Sequence, residues 1–420
     1  MDALTRRVMV IFGTRPEAIK LAPVIGALEE SPLFEPVVVV TGQHREMLAQ
    51  VLELFSIEPD HDLELCEPRQ TLTSVTARAL TGLEPLLEAE RPDAVLVQGD
   101  TTTTFVGALA AFYRQLPVFH VEAGLRTLDL ASPYPEEANR QLTSRIASLH
   151  LAPTLGNKAN LVREGIGPEQ VVVTGNTVVD ALLQAVERSG GYGDHALADL
   201  DEDPRRVILV TAHRRESWGE GHASVARAVA EIARTEPDVL VVFPIHRNPV
   251  VREAVMPLLA GLPNVRVVEP LAYGGLVRLM RRADLILTDS GGIQEEGPSL
   301  GKPVLVLRDT TERPEAVTAG TVRLVGTEET AIIGATRTLL HDEREYAAMA
   351  NAVNPYGDGR ASERTVAAMA HFFGLGERAD EFRADELMAD ELRAEELMAE
   401  ELRADELTPD DPSSAELEAV

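Results

Sequence analysis

The sequence predicts an α/β protein in which two doubly wound domains face a central cleft. Its 420 residues exceed what one ordinary hydrophobic core organises and suit two domains. Short runs rich in Val, Ile and Leu alternate with longer amphipathic stretches, which is typical of βαβ units. This alternation starts again after a Gly-rich and acidic segment at 189–203. We therefore expect two parallel sheets, each with helices on both faces.

Eight apolar runs are the predicted strands, at residues 8–12, 37–41, 94–97, 118–121, 207–210, 239–244, 285–288 and 303–307. Polar turns follow the first strand of each half, at 13–17 and 211–216. Because doubly wound sheets bind ligands outside the carboxyl ends of their strands, we expect both turns to face the cleft. The junction between the halves is predicted near 175–200.

Composition and charge exclude several classes of protein. The chain has 68 acidic and 39 basic side chains, a formal charge of −29, so DNA or RNA would meet a repulsive field. The single cysteine, Cys66, allows no intrachain disulfide and no zinc site of paired cysteines, which indicates a reducing compartment. No apolar run approaches the roughly 18 residues that span a bilayer, and the run at 8–12 has no signal-peptide cleavage site. We expect a cytoplasmic protein without a nucleic-acid or membrane partner.

Residues 378–407 are six copies of a pentapeptide, RADEF-RADEL-MADEL-RAEEL-MAEEL-RADEL. Five residues advance a helix by about 500°, so the apolar positions spiral around the axis and form no stripe. The segment 378–420 has 16 acidic and 4 basic side chains, a net charge of −12. We expect a solvated tail, disordered or partly helical, whose deletion leaves activity and stability nearly unchanged. The alternative is a docking segment.

A turn with small residues follows the predicted strand at 285–288. Ser290, Gly291 and Gly292 precede a predicted helix, whose first N–H groups and dipole attract phosphate. Glu296 lies one helical turn further on, where a carboxylate could accept hydrogen bonds from ribose hydroxyls. The alternatives are a tight βα turn and an ordinary first-turn glutamate.

Cations that could balance a phosphate follow strands in both halves. These candidates are Arg15, Lys20, Arg214, Arg215 and Arg313. The alternative is that each forms a surface ion pair. No Gly-x-Gly-x-x-Gly opens the first strand and no Walker A motif occurs, which disfavours a dinucleotide-dependent redox enzyme and a P-loop kinase. A nucleotide sugar remains the favoured ligand class.

Carboxylates at strand ends are candidates for proton transfer, because burial beside an apolar strand can raise a carboxyl pKa towards neutrality. The candidates are Asp100, Glu122, Glu136 and Glu137. The alternative for Asp100 is a helix N-cap. His213 is a further candidate, with a buried structural histidine as its alternative, and the same alternative is stronger for His120 and His246.

Nine segments, taken in their order along the chain, strongly resemble the non-hydrolysing UDP-N-acetylglucosamine 2-epimerases. The resemblance runs from about residue 8 to residue 373. They are FGTRPEAIKLAP (12–23), GQHREML (42–48), QGDTTTT (98–104), HVEAGLRT (120–127), PYPEEANRQLT (133–143), VTGNTVVDAL (173–182), VTAHRRES (210–217), LTDSGGIQEEGPSLGKPVLVLRDTTERPEAV (287–317) and NPYGDGRASER (354–364). The pentapeptide tail lies outside the resemblance.

The resemblance implies a glycosyltransferase-B-like fold with two Rossmann-like domains. Their implied limits are 1–177 for the domain with the acid–base carboxylates, completed by a helix at 361–376, and 178–360 for the UDP-binding domain. The implied reaction interconverts UDP-N-acetylglucosamine and UDP-N-acetylmannosamine through elimination of UDP to 2-acetamidoglucal, without metal or cofactor. A homodimer and a role in supplying envelope polysaccharide are also implied.

The resemblance also assigns residues. It implies that Asp100, Glu122 and Glu136 are the acid–base carboxylates and that His213 lies near the leaving phosphate. The substrate would be bound by Arg15, Lys20, Arg214, Ser290, Gly291, Gly292, Glu296 and Arg313. A second UDP-N-acetylglucosamine would act as an allosteric activator at Gln43, Arg69, Gln70 and His246. A hydrolysing epimerase, a glycosyltransferase and a silent sugar-nucleotide-binding regulator stay open as alternatives.

Overall fold

Two parallel β-sheets organise the chain in the computed structural model, which describes residues 5–42, 45–65, 70–214 and 217–384, with only the backbone at 45–47. The described strands of the first sheet run in the order β3-β2-β1-β4-β5-β6-β7. Their bounds are β1 Arg6–Phe12, β2 Phe34–Val40, β3 His61–Asp62, β4 Ala94–Gln98, β5 Val118–Val121, β6 Leu149–Ala152 and β7 Val171–Val173.

The second sheet has the described order β10-β9-β8-β11-β12-β13. Its strands are β8 Arg206–Thr211, β9 Val239–Pro244, β10 Val265–Val268, β11 Leu285–Thr288, β12 Val304–Val306 and β13 Val322–Leu324. In both sheets the strand order reverses direction beside the first strand of the half, so a switch point lies at the carboxyl ends of β1 and β4 and of β8 and β11. Ligands bind at such points in open α/β sheets.

Helices connect the strands. Those associated with the first half are α1 Arg15–Glu30, α2 Arg45–Phe55, α3 Leu72–Glu90, α4 Thr102–Tyr113, α5 Glu136–Ile146, α6 Leu155–Arg163 and α7 Thr177–Arg188. Those of the second half are α8 Glu220–Thr235, α9 Pro249–Leu259, α10 Tyr273–Arg282, α11 Ile293–Ser299, α12 Pro314–Ala319, α13 Glu329–His341, α14 Glu343–Ala350 and α15 Ala361–Phe372.

The central strands are buried on both faces, as continuous apolar runs predict. Every residue of 8–12 is fully buried, and so are residues 94–97. Alternate side chains of β1 enter different clusters, because successive residues of a strand point to opposite faces. Val8, Val10 and Phe12 pack on the side of α1, whereas Met9 and Ile11 pack with residues of α3 and α4. The carboxyl end of β1 is therefore held firmly from both sides.

Helix α15 returns to the first sheet from the end of the second half. It packs against α1, α7 and β6. The ring of Phe372, its last residue, meets the fully buried Phe119 of β5 edge to face, with 5.0 Å between ring centroids. This helix lies within the segment 361–376 that was predicted to return.

The first pentapeptide copy differs from the prediction of a wholly solvated tail. The N–H of Phe382 donates to the carbonyl of Val173 at 2.8 Å, and its side chain is only 3% exposed. Nζ of Lys158 donates to the Glu381 carboxylate at 2.6 Å. The compact unit with both sheets accordingly ends at Phe382. The expectation was wrong for 378–382, because a single apolar side chain needs no helical stripe to fill a gap beside the edge strand β7. Residues 385–420 lie outside the described part of the chain.

Candidate active site

A cleft of about 520 Å³ lies at the carboxyl ends of the strands. Its lining combines residues after β1, β4 and β5 with residues of the second half. They are Thr14, Arg15, Pro16, Glu17, Lys20, Gln98, Gly99, Asp100, Thr101, Glu122, Leu125, Pro133, Glu136, Arg140, Arg214, Glu312 and Arg313. Asp100, Glu122 and Glu136 thus share one cavity with Arg15, Lys20, Arg214 and Arg313.

Glu122 is the most tightly held of the three carboxylates. It directly follows β5 in a left-handed backbone conformation, with φ 61°, which is rare for a residue with a side chain and is common at functional sites. Its carboxylate pairs with Lys20 and accepts from the amide of Gln98. Nδ2 of Asn176 donates to the same carboxylate at 3.1 Å. Burial opposes ionisation, but the charge and hydrogen bond of Lys20 outweigh it, so the pKa of Glu122 is lowered.

Asp100 pairs with Arg140, whose guanidinium reaches back from α5. The other arm of Arg140 binds Glu137 at 3.1 Å. Nδ2 of Asn139 donates to the backbone carbonyl of Asp100 at 3.0 Å, so both parts of this residue are fixed from α5. The N-cap of α4 is Thr101, which removes the N-cap alternative for Asp100.

The neighbours Glu136 and Glu137 have different surroundings. Glu137 is fully buried and accepts from the backbone N–H groups of Thr127 and Leu128 at 3.0 and 3.2 Å. It therefore holds the loop before α5. Glu136 lines the cleft, and among the described residues it has no hydrogen-bond or ion-pair partner. Of this pair, only Glu136 is available to a ligand.

A buried carboxylate, Glu17, joins the two turns that carry Arg15 and Asp100. One oxygen accepts from the N–H groups of Gly13 and Thr14, at 3.0 and 2.7 Å. The other accepts from the hydroxyls of Thr101 and Thr104, at 2.6 and 3.1 Å. Burial raises the pKa of Glu17, although these donors oppose the shift. These four hydrogen bonds therefore hold the turns after β1 and β4 together at the cleft.

The candidate cations differ in how they are held. Among described residues Arg15 has no ion-pair partner, whereas Lys20 pairs with Glu122 inside the cleft rather than at the surface. Nε of Arg214 donates to the Asp289 carbonyl at 3.3 Å. Arg313 pairs with Glu295 on α11, and its pKa is raised, because the charges of Glu295 and Glu122 outweigh the effect of burial. Arg215 lies outside the described residues.

His213 follows β8 and faces solvent, with 42% of its side chain exposed, so it is not a buried structural histidine. Its Nδ1 lies 2.8 Å from a carboxylate oxygen of Asp289. The backbone N–H groups of His213 and Arg214 donate to the other oxygen, at 2.6 and 2.7 Å. Burial works against ionisation of Asp289, but the hydrogen bond and charge of His213 and these N–H groups lower its pKa. Asp289 thus contacts the imidazole through Nδ1, and Nε2 has no hydrogen-bond partner among the described residues.

The turn after β11 approaches Arg313 closely. A Cβ atom at Gly291 would lie 2.6 Å from Nη1 of Arg313, so a larger residue here would displace the guanidinium. The N–H of Ser290 is bound by Thr288 at 2.9 Å, while Gly292 precedes the first residue of α11. The structure therefore brings the predicted phosphate turn beside a predicted cation.

Glu296 lies in α11 and is almost fully buried. The hydroxyl of Tyr273 donates to its carboxylate at 2.8 Å. Burial raises the pKa of Glu296, the bond from Tyr273 partly offsets that shift, and the charge of Glu295 adds to it. An ordinary first-turn glutamate at a helix N-terminus would need neither this burial nor the hydrogen bond from Tyr273.

The remaining predicted residues are dispersed. His120 is fully buried and its Nε2 lies 2.7 Å from the Gly99 carbonyl, while burial lowers its pKa to about 4, as suits a structural histidine. Gln70 donates to the Leu65 carbonyl in the first half. His246 follows β9 and stacks on His213, with 6.2 Å between ring centroids. Gln43 and Arg69 lie outside the described residues, so the predicted regulatory group is described only in part.

Residues that the sequence analysis did not single out support the candidate site. Gln98 and Asn176 bind Glu122, Arg140 binds Asp100, and Asp289 binds His213. Each lies inside a motif that carried the family resemblance, so position within the motifs was the signal that could have identified them. Residue type alone could not, because each acts through a partner distant in sequence.

Within the described ranges, no cluster of three or more His, Cys, Asp or Glu side chains is arranged to bind a metal ion. In the same ranges, no helix has the length and apolar character needed to traverse a bilayer.

Comparisons with known proteins agree with this architecture. A family model described as UDP-N-acetylglucosamine 2-epimerase matches residues 26–370. The UDP-N-acetylglucosamine 2-epimerase of Salmonella typhimurium is 55% identical over 372 residues, covering 87% of this chain and 99% of the relative. That of Escherichia coli K12 is 54% identical over 371 residues, covering 86% and 98%.

A solved structure of the UDP-N-acetylglucosamine 2-epimerase from Neisseria meningitidis bound to UDP-N-acetylglucosamine superimposes with a TM-score of 0.80. It is 49% identical to this chain and the match covers 87% of this chain and 100% of that one. The fold prediction, two doubly wound domains of the glycosyltransferase-B type, is confirmed by the two parallel sheets together with these relatives. From its motifs, its fold and these matches, the chain belongs to the UDP-N-acetylglucosamine 2-epimerase family.

Proposed function

We propose that this chain catalyses the reversible C2 epimerisation of UDP-N-acetylglucosamine to UDP-N-acetylmannosamine. The observation that carries the proposal is the shared cleft of Asp100, Glu122 and Glu136 with five cationic side chains, of which Arg140 pairs with Asp100. Carboxylates can move a proton at carbon, and cations can accept a leaving diphosphate. A relative of 49% identity, from Neisseria meningitidis, is described with UDP-N-acetylglucosamine bound.

The proposed reaction proceeds by elimination and readdition. A carboxylate takes the proton from C2, the C1–O bond breaks, and its electron pair leaves on the β-phosphate oxygen of UDP, giving 2-acetamidoglucal. In the return step the phosphate oxygen bonds to C1 and a second acid protonates C2 on the opposite face. Two faces require more than one acid–base group, and the three carboxylates of the cleft supply them.

Positive groups would stabilise the charge that develops on UDP. Arg15 is unpaired among the described residues, and Arg313 lies beside Gly291, so both suit the diphosphate. His213 contacts Asp289 through Nδ1, and its Nε2 has no hydrogen-bond partner in the described part of the chain, which suits a hydrogen bond to the leaving phosphate. Glu296 would accept from the ribose. These assignments follow the chemistry of each group and its position around the cleft.

The proposal also covers the domain limits, the location, the oligomeric state, the regulation and the use of the product. We place the domain limits at 1–177 and 178–360, with the sheets ending at Val173 and resuming at Arg206. The single cysteine supports a cytoplasmic location. A homodimer, activation by a second UDP-N-acetylglucosamine, and supply of N-acetylmannosamine units for envelope polysaccharide complete the proposal, supported by family membership.

One experiment tests the reaction. The protein is incubated with UDP-N-acetylglucosamine in D₂O and the products are identified by NMR. Epimerisation predicts both intact UDP-sugars with deuterium at C2. Free N-acetylmannosamine and UDP would instead identify a hydrolysing enzyme, and transfer to an added acceptor would identify a glycosyltransferase. Binding without any exchange would leave only a sugar-nucleotide-binding regulator.

A further inference from the structure

One side chain, Asn176, connects the two halves of the cleft. It is 2% exposed and lies between β7 and α7. Its Oδ1 accepts from the N–H of Val178 at 3.1 Å as the N-cap of α7, which fixes the orientation of the amide. The opposite side of the amide, Nδ2, donates to Glu122 at 3.1 Å and to Glu295 at 2.6 Å. Its amide group therefore donates to one carboxylate that follows β5 of the first half and to one on α11 of the second half.

These carboxylates have distinct tasks in the proposed function. Glu122 belongs to the acid–base group, whereas Glu295 holds Arg313, which we place at the diphosphate. A continuous series of contacts thus runs from Arg313 through Glu295 and Asn176 to Glu122. Lys20 of α1 and Arg313 itself also act on Glu122 as positive charges, and the titratable His120 of β5, whose pKa burial lowers to about 4, lies near it.

We propose that Asn176 is a positioning residue that couples the Glu122 carboxylate to the Arg313–Glu295 pair, an inference that rests on the proposed function. A bound diphosphate attracts Arg313 and weakens its hold on Glu295. Glu295 then draws more strongly on the shared amide, and donation to Glu122 weakens. A carboxylate that loses a donor becomes a stronger base, so Glu122 gains basicity when the nucleotide occupies the cleft.

Asparagine is required for this coupling because it provides an acceptor for the N-cap and two N–H donors in one rigid plane. Asn176→Asp keeps the shape and the N-cap oxygen but removes both donors and adds a negative charge between two carboxylates. Asn248 offers the matched control, since its side chain caps α9 by accepting from Val250 at 3.0 Å. Asn248→Asp therefore makes the same chemical change at another helix N-cap.

The test compares pH profiles of kcat/KM for wild type, N176D and N248D. We expect N176D to lose at least about tenfold in kcat and to move the acid limb up by about one pH unit, with N248D within about twofold of wild type. An unchanged profile and turnover in N176D would overturn the proposal. Loss of kcat without movement of the acid limb would reduce Asn176 to a structural role and would also overturn it.

A binding measurement separates this inference from the proposed reaction. Calorimetry of UDP binding in two buffers of different ionisation enthalpy gives the protons taken up, and it requires no turnover. We expect proton uptake by wild type and N248D and markedly less by N176D; equal uptake in all three would contradict the coupling even if epimerisation were observed. If N176D does not fold, N176S, which keeps a capping oxygen, is measured with N248S as control, and the same outcomes decide.

Discussion

At the residue scale, the three carboxylates of the cleft give the most direct prediction. We expect Asp100→Asn, Glu122→Gln and Glu136→Gln each to lower turnover by about 10²-fold or more, because each removes a group that can exchange a proton. UDP binding should stay within a few-fold of wild type. Turnover is measured by NMR and binding by calorimetry, with the exposed Glu35→Gln as control. Near-normal turnover in all three variants would reject the assignment.

Glu312 gives a prediction about stability at acid pH. Burial opposes its ionisation, but the two-pronged hydrogen bonds from Arg308, at 3.0 and 3.3 Å, and the charge of Arg308 lower its pKa to about 2. A pKa lowered on folding stabilises the protein above the unfolded value near 4.5, and that contribution is lost as pH falls towards 2. Urea unfolding between about pH 5 and about pH 3 should therefore show a steeper loss for wild type than for Glu312→Gln. The exposed Glu343→Gln should follow wild type; parallel curves for Glu312→Gln would contradict the prediction.

The site residues that could be predicted from the sequence are those that come just after predicted strands. Glu122 and Asp100 could be chosen because a carboxylate directly after a buried strand faces the ligand side of the sheet. Residue type and position could not separate Glu136 from Glu137, which only the family resemblance distinguished, since the distinction depends on which of the two lies over the N–H groups of Thr127 and Leu128. That orientation is set by the tertiary path of the loop.

At the scale of elements, the first pentapeptide copy predicts two truncations with different outcomes. Ending the chain after Glu377 removes the buried Phe382 and its bond to Val173, whereas ending it after Ala384 keeps them. Loss of a buried phenylalanine typically costs about 3–5 kcal/mol. Urea unfolding should show a loss of about that size for the chain that ends after Glu377. The chain that ends after Ala384 should stay close to the full-length protein in stability. Equal stability of both truncations would show that the first copy adds nothing.

The eight predicted strands all overlap observed strands, although 37–41 extends one residue beyond β2 and 303–307 extends one residue beyond each end of β12, but the short strands β3, β6, β7, β10 and β13 were not predicted. β3 has two residues and β7 only three, too few for any pattern to emerge. β10 interrupts its valines with Arg266, and β6 contains His150. Such strands form because a neighbouring strand offers paired backbone groups, which is a tertiary effect rather than a local one.

At the scale of the whole molecule, the placement of the predicted site residues in both halves of the chain predicts domain closure. Asp100, Glu122 and Glu136 belong to the first half, whereas Ser290 and Arg313 belong to the second, so neither half forms the site alone. Small-angle scattering should show a smaller radius of gyration when UDP is added. Uridine, which lacks the diphosphate, serves as the control ligand. A radius unchanged by UDP would count against closure.

The architecture was the most predictable property of the molecule, because alternation of apolar runs and amphipathic stretches extends over hundreds of residues and survives local errors. Contacts across the cleft were the least predictable. Asn176 and Glu295 are 119 residues apart, and nothing in either local sequence indicates that their side chains meet. Such pairs depend on how the two sheets are placed within one compact unit.

The docked copy RADEF at 378–382 also has a genetic consequence. A tandem repeat of codons is prone to replication slippage, which adds or removes whole copies while preserving the reading frame. Because the compact unit ends at Phe382, gain or loss of later copies changes the length and charge of the tail without altering any residue of that unit. The phenylalanine, which the other five copies replace with leucine, is the buried side chain that attaches the first copy to that unit. Natural variants of this gene should therefore differ in the number of leucine-ending copies and keep the phenylalanine.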